Sequence, residues 1–224
     1  MIPIRDNIRT RTFPIITISL VLVNTAVFVY AAFMPAAAEK ALVIKYGLVP
    51  GEFMLSAHQH PELLPYNVLT IFTSMFLHGG FFHLGGNMLY LWIFGNNIED
   101  STGHVRFILF YGLSGVAAAL LQILYDPAAH IPMIGASGAI SGVLGGYLLL
   151  FPFARIKTLI FIFIFITTVE LPAIALLTIW FLMQLLFSHT EGVAWSAHIG
   201  GFLFGLATIK LFTIGRPRIR APRG

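Results

Sequence analysis

The sequence predicts an all-α membrane protein: a bundle of six transmembrane helices with both termini cytoplasmic. Three observations predict it. The 224 residues are 58% hydrophobic and only 10% charged, which is not the balance of a soluble domain. Several apolar runs approach or exceed the length that spans a bilayer. The cations are also unevenly placed. Of thirteen Lys and Arg, a six-helix threading leaves only Lys40 and Lys45 outside and the other eleven inside, which is the positive-inside pattern. There is no cysteine, so a disulfide scaffold, a thiol nucleophile and a thiolate metal site are excluded. The net charge of +4 comes from basic residues flanking apolar runs and suggests no nucleic-acid partner.

Residues 1–12 read as a polar cytoplasmic tail carrying Arg5, Arg9 and Arg11. The first helix covers about 13–34. A basic tail before an apolar run also describes a signal peptide, but this run is too long for a typical signal core. Residues 35–80 hold Pro35, Pro50, Pro61 and Pro65 and no clean span. They read as a long folded outer loop whose apolar pieces dip into the interface, and a loop of this length hints at function. The second helix runs from about 81 to 98 and the third from 105 to 124. The fourth runs from 137 to 151, stopped by Pro152. Residues 158–187 are apolar throughout, yet Glu170-Leu171-Pro172 interrupts them. That predicts a partly embedded hairpin or short helix over 159–166 and a fifth helix over 171–187. The sixth covers 193–214, and a basic cytoplasmic tail, 215–224, ends the chain. The whole of 13–214 is one membrane domain. No internal repeat of the kind transporters carry is visible.

Polar side chains inside apolar helices are costly and mark function. Three groups stand out. Ser137 sits where the fourth helix begins, among Gly135, Ala136 and Gly138. Small neighbours permit close approach of a substrate or another backbone, and a helix start offers free N–H groups to negative charge. The same glycines equally describe a packing seam, and Ser141 lies one turn further on the same face. The second group is His78-Gly-Gly-Phe-Phe-His83-Leu-Gly-Gly-Asn87, in which His83 and Asn87 share a helix face. Metal ligation by His78 and His83 lacks the His-Glu-x-x-His spacing, so no metal or cofactor is expected. The third is His198 beside the stripe Ala194, Ala197, Gly201 and Gly205. The predicted topology brings all three groups into the outer half of the bilayer, a depth that packing alone does not explain. A serine, an imidazole and two further donors match a nucleophile, a base and an oxyanion site.

With these residues in view, the chain resembles the rhomboid intramembrane serine proteases over about 13–212. The motifs are HGGFFHLGGN (His78–Asn87), GASG (Gly135–Gly138) and AHIGGFLFG (Ala197–Gly205). Gly95 to Glu99, with Arg106 beyond, is similar to the family's loop after the second helix. Each motif is weak alone; their order and spacing are specific. The resemblance implies a Ser–His dyad without an acid, Ser137 as nucleophile and His198 as base. Asn87, His83 and the Ser137 backbone N–H would hold the oxyanion, with His78, Gly135, Gly138, Ser141, Gly201 and Gly205 in support. Family members often carry an aromatic residue where this chain has Ser141, so the aromatic packing that holds the catalytic ring in those proteins is not offered by this position. Glu191 is the outer carboxylate nearest in sequence to orient the His198 ring. The implied partners are single-pass or polytopic membrane-protein substrates in the lipid bilayer, cut near the outer face. The implied setting is a prokaryotic plasma membrane with the site extracytoplasmic. The rival readings are a non-catalytic rhomboid-like client-binding protein, which would lack the serine or the histidine, and a transporter.

Overall fold

A computed structural model describes residues 1–162, 165–186, 194–217 and 219. The chain opens with a strand, β1 (Ile2–Asp6), followed by α1 (Ile15–Ala32). The segment to residue 80 folds into α2 (Ala36–Tyr46), α3 (Pro50–His58) and α4 (Leu64–Thr73). Next come α5 (Phe81–Tyr90), a π-type turn at Leu91–Gly95 and α6 (Asn96–Thr102), which follow without a break. Then follow α7 (His104–Tyr125), α8 (Ser137–Leu150), the strands β2 (Arg155–Ile162) and β3 (Phe165–Pro172), α9 (Ala173–Leu186) and α10 (Trp195–Phe212). Three of these helices, α1, α7 and α10, are long and apolar enough to cross a membrane. Residues 61–76 and 81–102 form an apolar pair bent by 86°. α8 and α9 are apolar but only 14 residues each.

The molecule is built around α8, in which every residue from Gly138 to Tyr147 is buried. Glycine makes this possible. A Cβ on Gly201 of α10 would overlap the carbonyl oxygen of Gly138, and one on Gly205 would overlap that of Gly142. The two backbones therefore touch along the predicted small-residue stripe, where no larger side chain fits. On its other side α8 meets α7, with Gly142 against Ser114 and Gly138 against Ala118. Phe202, one position from Gly201, reads from the sequence as lipid-facing or loosely packed. Instead it is 2% exposed and stacks on Phe181 of α9 at 4.5 Å. The α9 helix covers that face of α10, a neighbour that helical periodicity alone does not reveal.

The end of the bundle away from Ser137 departs most from expectation. Of the two alternatives for 159–166, the structure takes the hairpin. β2 and β3 pair antiparallel from Arg155↔Pro172 to Ile162↔Phe165. The break at Pro172 therefore ends a strand, and the fifth helix starts at Ala173 rather than 171. Residues 2–6, within the segment read as a polar tail, form a third strand, pairing antiparallel with β2 to give the order β1-β2-β3. β-Branched and aromatic residues dominate 156–169, which suits a strand as well as a buried helix. Two carboxylates of α6 fasten the neighbouring chain. Glu99 is fully buried and accepts from the Ile16 and Thr17 N–H groups at 2.9 and 2.8 Å. It thereby caps the start of α1, where Pro14 offers no side-chain cap. Asp100 accepts from the Arg11 backbone N–H at 2.8 Å and from the Thr12 hydroxyl at 2.7 Å. Arg106 donates to the carbonyls of Phe212 and Ile214 at 3.3 and 2.6 Å, closing the end of α10.

Candidate active site

Ser137 is the first residue of α8, so its backbone N–H has no partner one helical turn back. Gly135 shapes the turn before it. Its φ is +118°, a conformation that a side chain disfavours. A Cβ there would also lie 2.6 Å from His83 Nε2 and 3.7 Å from Asn87 Nδ2. Gly135 N–H donates to the Ser74 carbonyl at 2.9 Å, and Leu48 and Met133 exchange backbone bonds of 3.1 and 2.7 Å. The folded segment 35–80 thus pins the turn that presents the serine.

His198 stands in the first turn of α10. Its Nε2 lies 2.8 Å from Ser137 Oγ, and its Nδ1 lies 2.8 Å from Gln184 Oε1. The Gln184 amide nitrogen donates to the Trp180 carbonyl at 3.1 Å. That bond orients the amide with its oxygen toward the imidazole, so Nδ1 carries the proton and Nε2 turns its lone pair to the serine hydroxyl. The rings of Trp180 and Trp195 flank His198, with centroids 6.1 and 6.2 Å away. Among the described residues the Ser141 hydroxyl makes no hydrogen bond to the ring. It donates to the Ser137 carbonyl at 2.7 Å. Glu191 lies outside the described residues.

The donors gather on the other side of Ser137. The Gly79 N–H donates to His83 Nδ1 at 3.4 Å. That leaves the His83 proton on Nε2, directed over Gly135. Asn87 Nδ2 is buried and has no hydrogen-bond partner among the described residues. A buried donor in that state calls for an acceptor. His78 is 6% exposed and packs edge-on to His83 at 5.0 Å, so it braces that ring rather than facing the serine. Ser137, His198, His83 and Asn87 line one cavity of about 1330 Å³. A hydroxyl bonded to an imidazole, with Asn87 Nδ2 and His83 Nε2 beside a helix start, can form an acyl-enzyme and stabilise the oxyanion that precedes it.

Sequence reading missed Gln184 and Trp180. The available signal was an amide in an otherwise apolar helix, the only one in Ala173–Leu186, which is costly unless paired.

Residues 65–214 match the family model described as Rhomboid domain. This chain belongs to the rhomboid family. It is accordingly a multi-pass membrane protein. Rhomboid protein 1, mitochondrial, of Saccharomyces cerevisiae is 40% identical over 97 residues, 42% of this chain and 28% of that protein. RHOMBOID-like protein 5 of Arabidopsis thaliana is 34% identical over 137 residues, 60% of this chain and 41% of the relative. Rhomboid protease GluP of Bacillus subtilis is 38% identical over 78 residues, 35% of this chain and 15% of the relative. The rhomboid chain thus spans less than half the length of these relatives. They include a mitochondrial, a plant and a bacterial protein, so the expected prokaryotic plasma membrane does not follow from them.

Proposed function

We propose that this rhomboid protein is an intramembrane serine endopeptidase that hydrolyses peptide bonds in the transmembrane segments of other membrane proteins. The observation that carries the reading is the 2.8 Å contact between Ser137 Oγ and His198 Nε2 inside an apolar bundle, beside the unpaired amide of Asn87. A six-span bundle with both termini cytoplasmic puts this pair near the extracytoplasmic face. The substrate helix must unwind there, because a helical carbonyl is held in its own hydrogen bonds. His198 Nε2 takes the hydroxyl proton as Ser137 Oγ attacks the carbonyl carbon. The negative oxygen accepts from Asn87 Nδ2, His83 Nε2 and the Ser137 N–H. His198 returns the proton to the leaving amine, the C–N bond breaks, and Ser137 is left acylated. Water, deprotonated by the same nitrogen, releases the acid and restores the hydroxyl. The relative GluP is named a protease, which favours this reading over a client-binding protein without catalysis.

The test is a serine-reactive fluorophosphonate followed by peptide mapping, alongside cleavage of a model transmembrane substrate. Label is expected on Ser137 alone. Ser137→Ala and His198→Ala should each abolish cleavage, and the double variant should match either single, because the pair acts as a unit. Full turnover by either single variant rejects the dyad. Label on Ser141 moves the nucleophile by one turn.

A further inference from the structure

The three-stranded sheet, at the end of the bundle away from Ser137, borders a second cavity of about 300 Å³, lined by Arg5, Arg9, Arg155 and Lys157 together with Asp6 and Glu170. Strand register sets Arg5 opposite Lys157, and Lys157 opposite Glu170. Like charges directly across a strand pair repel. The two acids offset this only in part. Asp6 Oδ2 is turned to the Asn97 amide and the Tyr147 hydroxyl, at 2.6 Å each. Glu170 reaches Arg155 at 3.9 Å, with both side chains more than half exposed, a geometry that contributes little. Among the described residues Arg5, Arg9 and Lys157 have no side-chain hydrogen bond or ion pair. The same sheet leaves Ile2 and Ile4 of β1, Phe161 of β2 and Ile166 of β3 exposed. Cations around a concavity, next to bare apolar side chains, are what the boundary between headgroups and acyl chains accommodates.

We propose that this cavity binds the phosphate of an anionic phospholipid headgroup, with Arg5, Arg9 and Lys157 on the phosphate oxygens and the exposed isoleucines and phenylalanine against the acyl chains. The bound anion relieves the repulsion between Arg5 and Lys157 and ties the amino-terminal strand to the bundle through the lipid. The apolar flank favours a lipid over free phosphate. The site is independent of the proteolytic reading.

The test uses the full chain in nonionic detergent and native mass spectrometry with added phosphatidylglycerol or phosphatidylcholine. One phosphatidylglycerol is expected to be retained in preference to phosphatidylcholine and to raise the melting temperature. Arg5→Gln/Lys157→Gln should weaken retention about tenfold and remove the thermal shift. Arg216→Gln, at the same end of the bundle but outside the cavity, should keep both. If the double variant does not fold, Arg9→Gln, which removes an exposed side chain without a partner, carries the test. Retention unchanged in the cavity variants overturns the proposal. So does an equal loss in Arg216→Gln, which would mean diffuse surface charge. An equal thermal shift from inorganic phosphate would assign the cavity to the free ion and reject the lipid.

Discussion

In the proposed mechanism, the chemistry at Ser137 depends on which nitrogen of His198 carries the proton. Gln184 sets this through an amide whose own orientation is fixed by the Trp180 carbonyl. A serine protease with an acid in this position would also stabilise the imidazolium; a neutral amide orients without supplying charge. Gln184→Leu should therefore lower turnover by about 10²-fold, the usual cost of a ring displaced by about 1 Å, with little change in substrate KM. Gln184→Glu keeps the acceptor and should recover most of the rate. Its negative charge should also move the acidic limb of the pH–rate profile upward, because it favours protonated His198. Equal turnover in wild type and Gln184→Leu, with an unshifted profile in Gln184→Glu, would reduce the glutamine to packing. The candidate pair and its donors were legible in the sequence for a physical reason. Ser137, His198, His83 and Asn87 are polar side chains at the same predicted depth in apolar helices, in motifs with fixed spacing. Gln184 was not, because one amide in an apolar run carries no spacing and finds its partner only when α9 folds beside α10.

At the scale of elements, the contact between α8 and α10 is the most demanding. Gly201→Leu must drive its Cβ into the Gly138 carbonyl, moving His198 away from Ser137. The expected result is about 10²-fold lower turnover and a loss of roughly 1–3 kcal/mol of stability. Thermal unfolding and activity together check it, with Leu203→Ala as control, since Leu203 is half exposed; Phe202 is too well packed to serve. Normal melting and normal turnover in Gly201→Leu would show that this seam does not set the catalytic distance. The sheet makes a different prediction. Burial raises the Asp6 carboxyl to about 6, and the Tyr147 hydroxyl opposes the rise. The folded state then holds a proton that the unfolded chain has released, so this contribution is full below about pH 4 and is lost as pH rises through about 6. The swing is at most roughly 3 kcal/mol. Asp6→Asn, in neutral lipid, should melt higher than wild type at pH 8 and show a flatter melting curve between pH 5 and 8. Identical pH dependence in the two proteins would remove Asp6 from this role. Apolar run length and Pro152 pointed to the regions of α1, α7, α8, α9 and α10, whereas α2, α3 and α4 fell in a segment read only as a folded loop, because their short apolar pieces are broken by prolines. The sheet was only partly legible. An apolar run such as 156–169 reads alike as strand or buried helix, and β1 pairs with a hairpin some 150 residues away in sequence.

The molecule as a whole is polar along its axis. One end holds the starts of α5, α8 and α10, and with them Ser137 and His198. The other holds the sheet, the capped start of α1 and Arg11 against Asp100. Following the chain from that capped start, α1 delivers Lys40 and Lys45 on α2 to the Ser137 end. Arg5, Arg9, Arg155 and Lys157 gather at the sheet, and Arg106 reaches the carbonyls at the end of α10. Among the described residues these cations are divided between the two ends, and by the positive-inside rule such a bias is expected to place the basic end in the cytoplasm. A reporter fused after Ala129, in the loop that leads to Ser137, should therefore read extracytoplasmic, and one fused after Gly224 should read cytoplasmic. Removing positive charge from the sheet end weakens the bias, so Arg5→Gln/Arg9→Gln/Arg11→Gln should raise the minority orientation of the Ala129 fusion. Lys40→Gln/Lys45→Gln should not. A cytoplasmic signal from Ala129 in the unmodified chain would reverse the topology. The substrate bond would then be cut at the cytoplasmic side, and the charge asymmetry would need a cause other than insertion.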